Sequence, residues 1–206
     1  MTRLPAGREA TLFAGARYAN EFFMGQANVQ RALEKIGALL RGEGIAYAVV
    51  GAMALNEHGY RRVTVDVDLL LSREGLAAFK AKFLGRGYVE KFPGSKGMRD
   101  LENGVDIDVV LAGDYPGDGK PKPVRFPDPA QVAVVGDRVS VVPLATLVEL
   151  KLASGMSAAH RLKDLADVLE LVRVAGLAES FAQELDPSVR EKYLELWRAA
   201  QGAGDE

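Results

Sequence analysis

The stretch Arg61-Arg-Val-Thr-Val-Asp-Val-Asp-Leu-Leu-Leu71 (RRVTVDVDLLL) decides the fold. Apolar and polar residues alternate along it with the period of a β-strand. On that period Val63, Val65, Val67, Leu69 and Leu71 line a buried face, and Thr64, Asp66 and Asp68 line the other. Two carboxylates side by side on one strand face repel each other, and water or a cation has to offset that repulsion.

Outward from this strand the elements alternate in type. Ile45 to Val50 (IAYAVV) reads as a buried strand, followed at once by Gly51 and a short helix, AMALNEH, stopped at Gly59. Upstream, Asn28 is placed to cap a helix with the stripe Val29, Leu33, Ile36 and Leu40, ended by Gly42 and Gly44. Downstream, Ser72 caps a helix carrying Leu76, Phe79 and Phe83, and a strand follows at Tyr88 to Phe92. In GMRDLENGVDIDVVL, Asn103-Gly104 is the two-residue turn of a hairpin. Its return strand, Val105 to Leu111, puts Asp106 and Asp108 together on one face.

A loop rich in Gly, Pro and Asp runs from Ala112 to about Pro129, and a second hairpin turns at Gly136-Asp137. From Pro143 the pattern is helical: Leu144, Leu147, Val148 and Lys151, then a break at Gly155. Ser157 is placed to cap a helix with the stripe Leu162, Leu165, Leu169 and Val172. Asp186-Pro187 opens a last helix with Val189, Tyr193, Leu196 and Trp197 on one side, and QGAGDE reads as a frayed tail. The residues before Asn28 show no clear period. The expected organisation is a mixed α/β core over 28–142 followed by a helical region over 143–201.

The chain has 206 residues, a formal net charge of -2, two histidines and no cysteine. Near-neutral charge argues against indiscriminate nucleic-acid binding through bulk charge, although a local basic face remains compatible with it. The histidine and cysteine counts exclude disulfides, thiolate zinc sites and three-histidine metal sites, so a metal would be held by oxygen, which suits magnesium or manganese. No run approaches the ~20 apolar residues of a membrane span. The start MTRLPAGREATLF lacks the pattern of a signal peptide, so a soluble, cytoplasmic protein is expected.

Three features converge on one chemistry. Gly51 lies between a strand and a helix start, where free N–H groups favour a phosphate. Asp66 and Asp68 share one strand face, and Asp106 and Asp108 share another. If the two strands are neighbours, three carboxylates meet at one point. Two magnesium ions ~3.5–4 Å apart would neutralise them and clamp an in-line phosphoryl displacement.

The segment VVGAMALNEHGYRRVTVDVDLLL resembles the signature of the nucleotidyltransferase superfamily, whose fold is polymerase-beta-like. The closer resemblance is to the AbiEii-like toxin nucleotidyltransferases of bacterial toxin–antitoxin systems. Their R-x-T-x-D-x-D pattern is matched by Arg62, Thr64, Asp66 and Asp68. Their later motifs look similar to LVELKLA, with Lys151, and RLKDLADVLEL, with Arg161, Asp164 and Asp167. The resemblance spans roughly Val49 to Leu171.

It implies a polymerase-beta-like α/β (α+β) fold with a mixed sheet, followed by a C-terminal helical region. It also implies transfer of a nucleoside monophosphate from an NTP, with Mg2+ (or Mn2+) held by Asp66, Asp68 and Asp108. Asp106 fits the third-acid pattern as well; Asp108 is preferred because it lies deeper in the strand. Lys151 would reach the triphosphate, and Gly51, Ala52, Arg62, Thr64 and Asp164 would bind nucleotide. Ala52 departs from the usual serine or glycine and offers no hydroxyl, leaving backbone N–H groups for that task. Without any chemistry, Lys151 reads as a surface lysine with an apolar stem, and Asp164 and Asp167 as partners of Arg161 or Lys163.

The implied acceptor is RNA, foremost tRNA, or a protein hydroxyl, and the implied partner a cognate antitoxin. Two other readings are a small-molecule, aminoglycoside-like acceptor and a catalytically weakened binding or antitoxin module.

Overall fold

A computed structural model describes residues 25–136 and 138–202. The residues without a clear period up to 24, Asp137 at the second turn and the last four residues of the QGAGDE tail lie outside the described residues.

The first helix, α1, covers residues 25–42. It buries Val29, Leu33, Ile36 and Leu40, as the stripe requires. Asn28 lies inside this helix and not at its cap: the helical pattern extends upstream, and the Asn28 side chain is taken by Arg31. Strand β1 (Tyr47–Val49) leads to helix α2 (Gly51–Glu57). β2 (Asp66–Leu71) is followed by α3 (Arg73–Phe83), whose cap Ser72 accepts a hydrogen bond from the Gly75 amide. β3 (Tyr88–Glu90), β4 (Met98–Asp100) and β5 (Val105–Leu111) come next. A short helix, α4 (Pro129–Val132), precedes β6 (Val134–Val135) and β7 (Ser140–Val141). Three longer helices close the chain: α5 (Leu144–Gly155), α6 (Leu162–Val174) and α7 (Pro187–Gly202).

The seven strands form one mixed sheet in the order β3-β4-β5-β2-β1-β7-β6. β2 and β5 are parallel neighbours, as are β1 and β7; the other adjacent pairs are antiparallel. The α/β fold class read from the sequence therefore stands, with a mixed sheet followed by helices.

Several elements differ from the periodic reading. β2 begins at Asp66, so Val63 and Val65 are exposed (50% and 78%) and not part of a buried face. Residues 61–64 instead cross toward α2, where Asn56 accepts from the Arg62 amide and donates to the Arg62 carbonyl. The first hairpin turns through four residues, 101–104, not two, because Asp100 pairs with Val105. Asn103 donates its side chain to Asp100, and Gly104 adopts φ 68° to close the turn.

In the second hairpin, part of the expected first strand is the helix α4, capped by Asp128 and started by Pro129. Ser157 caps no helix, since its hydroxyl donates to the Ser154 carbonyl and a 3-10 turn (Ala159–Arg161) precedes α6. α6 buries Asp167, Val168, Leu171 and Val172, leaving Leu162 at 65% exposure, so its inward stripe is rotated from the expected one.

Candidate functional site

The register of β2 against β5 settles how the acids are placed. Asp66 sits opposite Asp106 and Asp68 opposite Asp108. In-register residues of parallel neighbours point to the same side, so all four carboxylates share one face of the sheet. Val67, Leu69, Ile107 and Val109 point to the other side and are buried.

The four acids are handled differently. Asp106 pairs with Arg99 at 2.6 Å and with Lys91 at 3.5 Å, and Asp108 pairs with Lys91 at 2.9 Å. Asp66 accepts from the Thr64 hydroxyl at 2.5 Å. Among the described residues, neither Asp66 nor Asp68 has a cationic side chain within ion-pair distance. Burial, then the charges of Asp66 and Asp108, push the Asp68 carboxyl up to about 6, against an opposing pull from Lys151 and Arg62.

Gly51 adjoins this carboxylate. It opens α2 with φ 63°, and a Cβ at that position would collide with the Asp68 side chain. Glycine is thus required here twice over, by backbone conformation and by the closeness of Asp68.

Gly51 and Asp68 lie at the floor of a cleft of about 380 Å³. Its walls include Gly51, Ala52, Arg62, Thr64, Asp66, Asp68, Lys151, Arg161 and Asp164, whereas Asp106, Asp108 and Asp167 stand outside it. The far wall comes from α5, the 3-10 turn and the start of α6, together with Pro116 and Gly117 of the long loop.

On that wall Lys151 is buried, not a surface residue with a solvated head. Its ammonium lies 3.0 Å from Asp164 and 2.7 Å from Asp167. Arg62 reaches across from the β2 side to Asp167 at 2.5 Å, joining the sheet to α6. Ser154 donates to Asp164 at 2.7 Å, and Arg161 donates to the Ser154 hydroxyl while lying 3.0 Å from Asp164. Burial works to raise the Asp164 carboxyl, but Lys151, Ser154 and Arg161 outweigh it and hold the group below the usual carboxylate range.

Sequence reading alone did not assign Ser154, His160 or Lys163, which also line the cleft, and placed Asp167 only within a motif. For Ser154 the signal was present: it falls three residues after Lys151 on one helix face. His160 and Lys163 carry no such pattern.

The donor chemistry fits a hard divalent cation at Asp66 and Asp68, two oxygen ligands whose mutual repulsion such an ion relieves. The third acid is the in-register Asp108, at present engaged by Lys91. Among the described residues, no three such side chains are gathered closely enough to hold one ion as they stand.

No protein-family model matches the chain, and no curated protein matches it. Seven chains of solved structures match. The crystal structure of ANT(2")-Ia in complex with adenylyl-2"-tobramycin is 15% identical with a TM-score of 0.45, the match covering 81% of this chain and 92% of that one. A tRNA-processing enzyme in an apo form is 12% identical with a TM-score of 0.38, over 86% of this chain and 57% of the enzyme. Likeness at this level bears on neither substrate nor mechanism.

Proposed function

We propose that the protein transfers a nucleoside monophosphate from an NTP to a macromolecular acceptor, an RNA end (tRNA foremost) or a protein hydroxyl, and that it acts as the toxin of a toxin–antitoxin pair. One observation carries the catalytic part. Asp66 and Asp68 line a cleft beside Gly51 whose opposite wall carries Lys151, Arg161 and Lys163, and Asp108 stands opposite Asp68 on the same sheet face, outside that cleft.

Asp66 and Asp68 would hold Mg2+ or Mn2+, with Asp108 as the third ligand. Such an ion, when bound, supplies charge neutralisation for phosphoryl transfer. The chain's own contribution is positioning. Thr64 fixes the Asp66 carboxylate through its hydroxyl. Gly51 leaves room for backbone to approach the same point, and the buried Ala52 beside it leaves phosphate contacts to N–H groups.

Arg62, Lys151 and Arg161 face Asp164 and Asp167, three cations against two carboxylates. That surplus favours a triphosphate, with His160 and Lys163 at the same wall. Lys151 would meet the triphosphate from the cleft wall, where Asp164 and Asp167 offset its charge.

The test uses the intact protein with each of the four α-labelled NTPs and Mg2+ or Mn2+, offered total RNA, protein and an aminoglycoside in separate reactions. Label on RNA or protein that disappears in Asp68→Asn and Lys151→Met supports the proposal. Label on the aminoglycoside alone moves the acceptor to the small-molecule class. Absence of both transfer and NTP binding overturns the enzymatic reading and leaves a binding module. Growth arrest on expression in a bacterium, relieved by Asp66→Asn, checks the toxin role.

A further inference from the structure

We infer that Lys91 is a built-in cationic latch on the third acid, which weakens divalent-ion binding until the ion displaces its ammonium; this rests on the metal-dependent reading above. Lys91 stands at the base of the loop between β3 and β4, where its amide donates to the Gly97 carbonyl at 3.3 Å. From there its side chain runs inward over Gly97, just before β4, to Asp108 of β5 at 2.9 Å and approaches Asp106 at 3.5 Å.

This path depends on Gly97. A Cβ there would come within 2.9 Å of the Lys91 Cδ, 3.0 Å of the Asp108 Oδ1 and 3.2 Å of the Ile107 carbonyl oxygen. A bare backbone under the lysine stem is what lets the stem lie flat and the ammonium reach the acid.

The ammonium thus does for Asp108 what a metal would do, neutralising it with one charge. An ion held by Asp66 and Asp68 would compete with this ammonium for Asp108 as its third ligand. The two neighbouring acids already differ: Arg99 serves Asp106, so Lys91 is the latch of Asp108 in particular. The ion pair is about one-third exposed on the lysine side and nearly half on the acid side, so water can take the ammonium once it is released. A partly exposed pair of this kind is readily exchanged and worth little on its own. That makes it a latch and not a permanent block.

The experiment reads Mn2+ affinity directly, by the electron paramagnetic resonance of free Mn2+ with no nucleotide present. Wild type is compared with Lys91→Met, Lys91→Arg, Asp108→Asn and the double variant Lys91→Met/Asp108→Asn. Lys91→Met should bind Mn2+ about fivefold more tightly, the gain shrinking in 0.5 M salt. Lys91→Arg should stay near wild type, and the double variant should match Asp108→Asn.

Unchanged or weaker Mn2+ binding by a folded Lys91→Met, with Lys91→Gln giving the same result, overturns the latch. So does a gain that persists without Asp108. Nucleotidyl transfer is measured in parallel on the same wild-type preparation. If transfer is present, only the latch falls; if wild type neither binds Mn2+ nor transfers nucleotide, both readings fall.

Discussion

Asp68 sits where its own charge is unfavourable. Its carboxyl is raised from 3.8 to about 6 by burial and by Asp66 and Asp108. The folded chain therefore holds that proton more tightly than the unfolded one, so Asp68 costs no stability below pH 3.8 and a growing amount as pH rises toward 6. The shift corresponds to about 3 kcal/mol at neutral pH as an upper figure. Asp68→Asn should accordingly raise the melting temperature at pH 7.5 in the presence of a chelator, and the difference from wild type should vanish near pH 4. Thermal melts at the two pH values check it; a variant no more stable at pH 7.5 would mean the charge is already neutralised by other groups. A destabilised group kept at a cleft is what a functional site, not a packing site, leads one to expect. Gly51 shows the same closeness from the other side. Gly51→Ala meets a left-handed φ, which costs about 1 kcal/mol, and a clash with Asp68, which adds about 1–3 kcal/mol. Urea denaturation should show that loss, and an Asp68→Ala background should reduce it, because the two residues are in contact.

Between elements, the contact that matters most is the one Arg62, Lys151 and Asp167 make where the segment before β2, α5 and α6 meet. All three side chains are largely buried, with Asp167 at 4% exposure. Removing one partner of such a group leaves uncompensated charge in the interior, so Asp167→Asn should cost about 3 kcal/mol in a urea melt. Asp167 was legible in the sequence only as a motif letter, since nothing in a helical stripe says which acid turns inward. The strands that carry the acids were legible for a clear reason: alternation in β2 and β5 matches a sheet with one buried face, and both pairs landed on one side. The same alternation misled at Val63 and Val65, where the Asn56 clasp on the Arg62 backbone draws the chain out of the sheet. Local pattern does not report a hydrogen bond to a residue on another element. Val65→Thr should therefore change stability by less than about 0.5 kcal/mol, as for a surface site, whereas Val67→Thr should be clearly destabilising. The long-range ion pairs, Lys91 with Asp108 above all, were not legible, because pairing across 17 residues has no local signature.

At the scale of the whole molecule, one buried cluster runs from Val29 of α1 through the sheet to Leu147, Val148, Leu171 and Tyr193 of the closing helices. The cleft lies between the sheet face bearing the acids and these helices, so its shape depends on both parts remaining packed. The helical region has no separate core among the described residues: α5 contributes Leu147, Val148, Leu150 and Leu152 to the same cluster that holds Val49 and Leu55. Shared burial of this kind makes unfolding of one part expose the apolar surface of the other. The single tryptophan, Trp197, reports on α7 and is tied to the carbonyl of Leu177 through its indole N–H at 3.0 Å. Far-UV circular dichroism reports on all the helices and the sheet together. If sheet and helices form one cooperative unit, urea curves from Trp197 fluorescence and from circular dichroism should superimpose, with one midpoint. A helical region that melts first would shift the fluorescence midpoint below the dichroism midpoint. Lys151 and the rest of the cationic wall would then be lost before the acids, and the proposed transfer would fall with the fluorescence curve. Measuring transfer at intermediate urea alongside both probes decides between the two, because only a cooperative unit makes all three curves coincide.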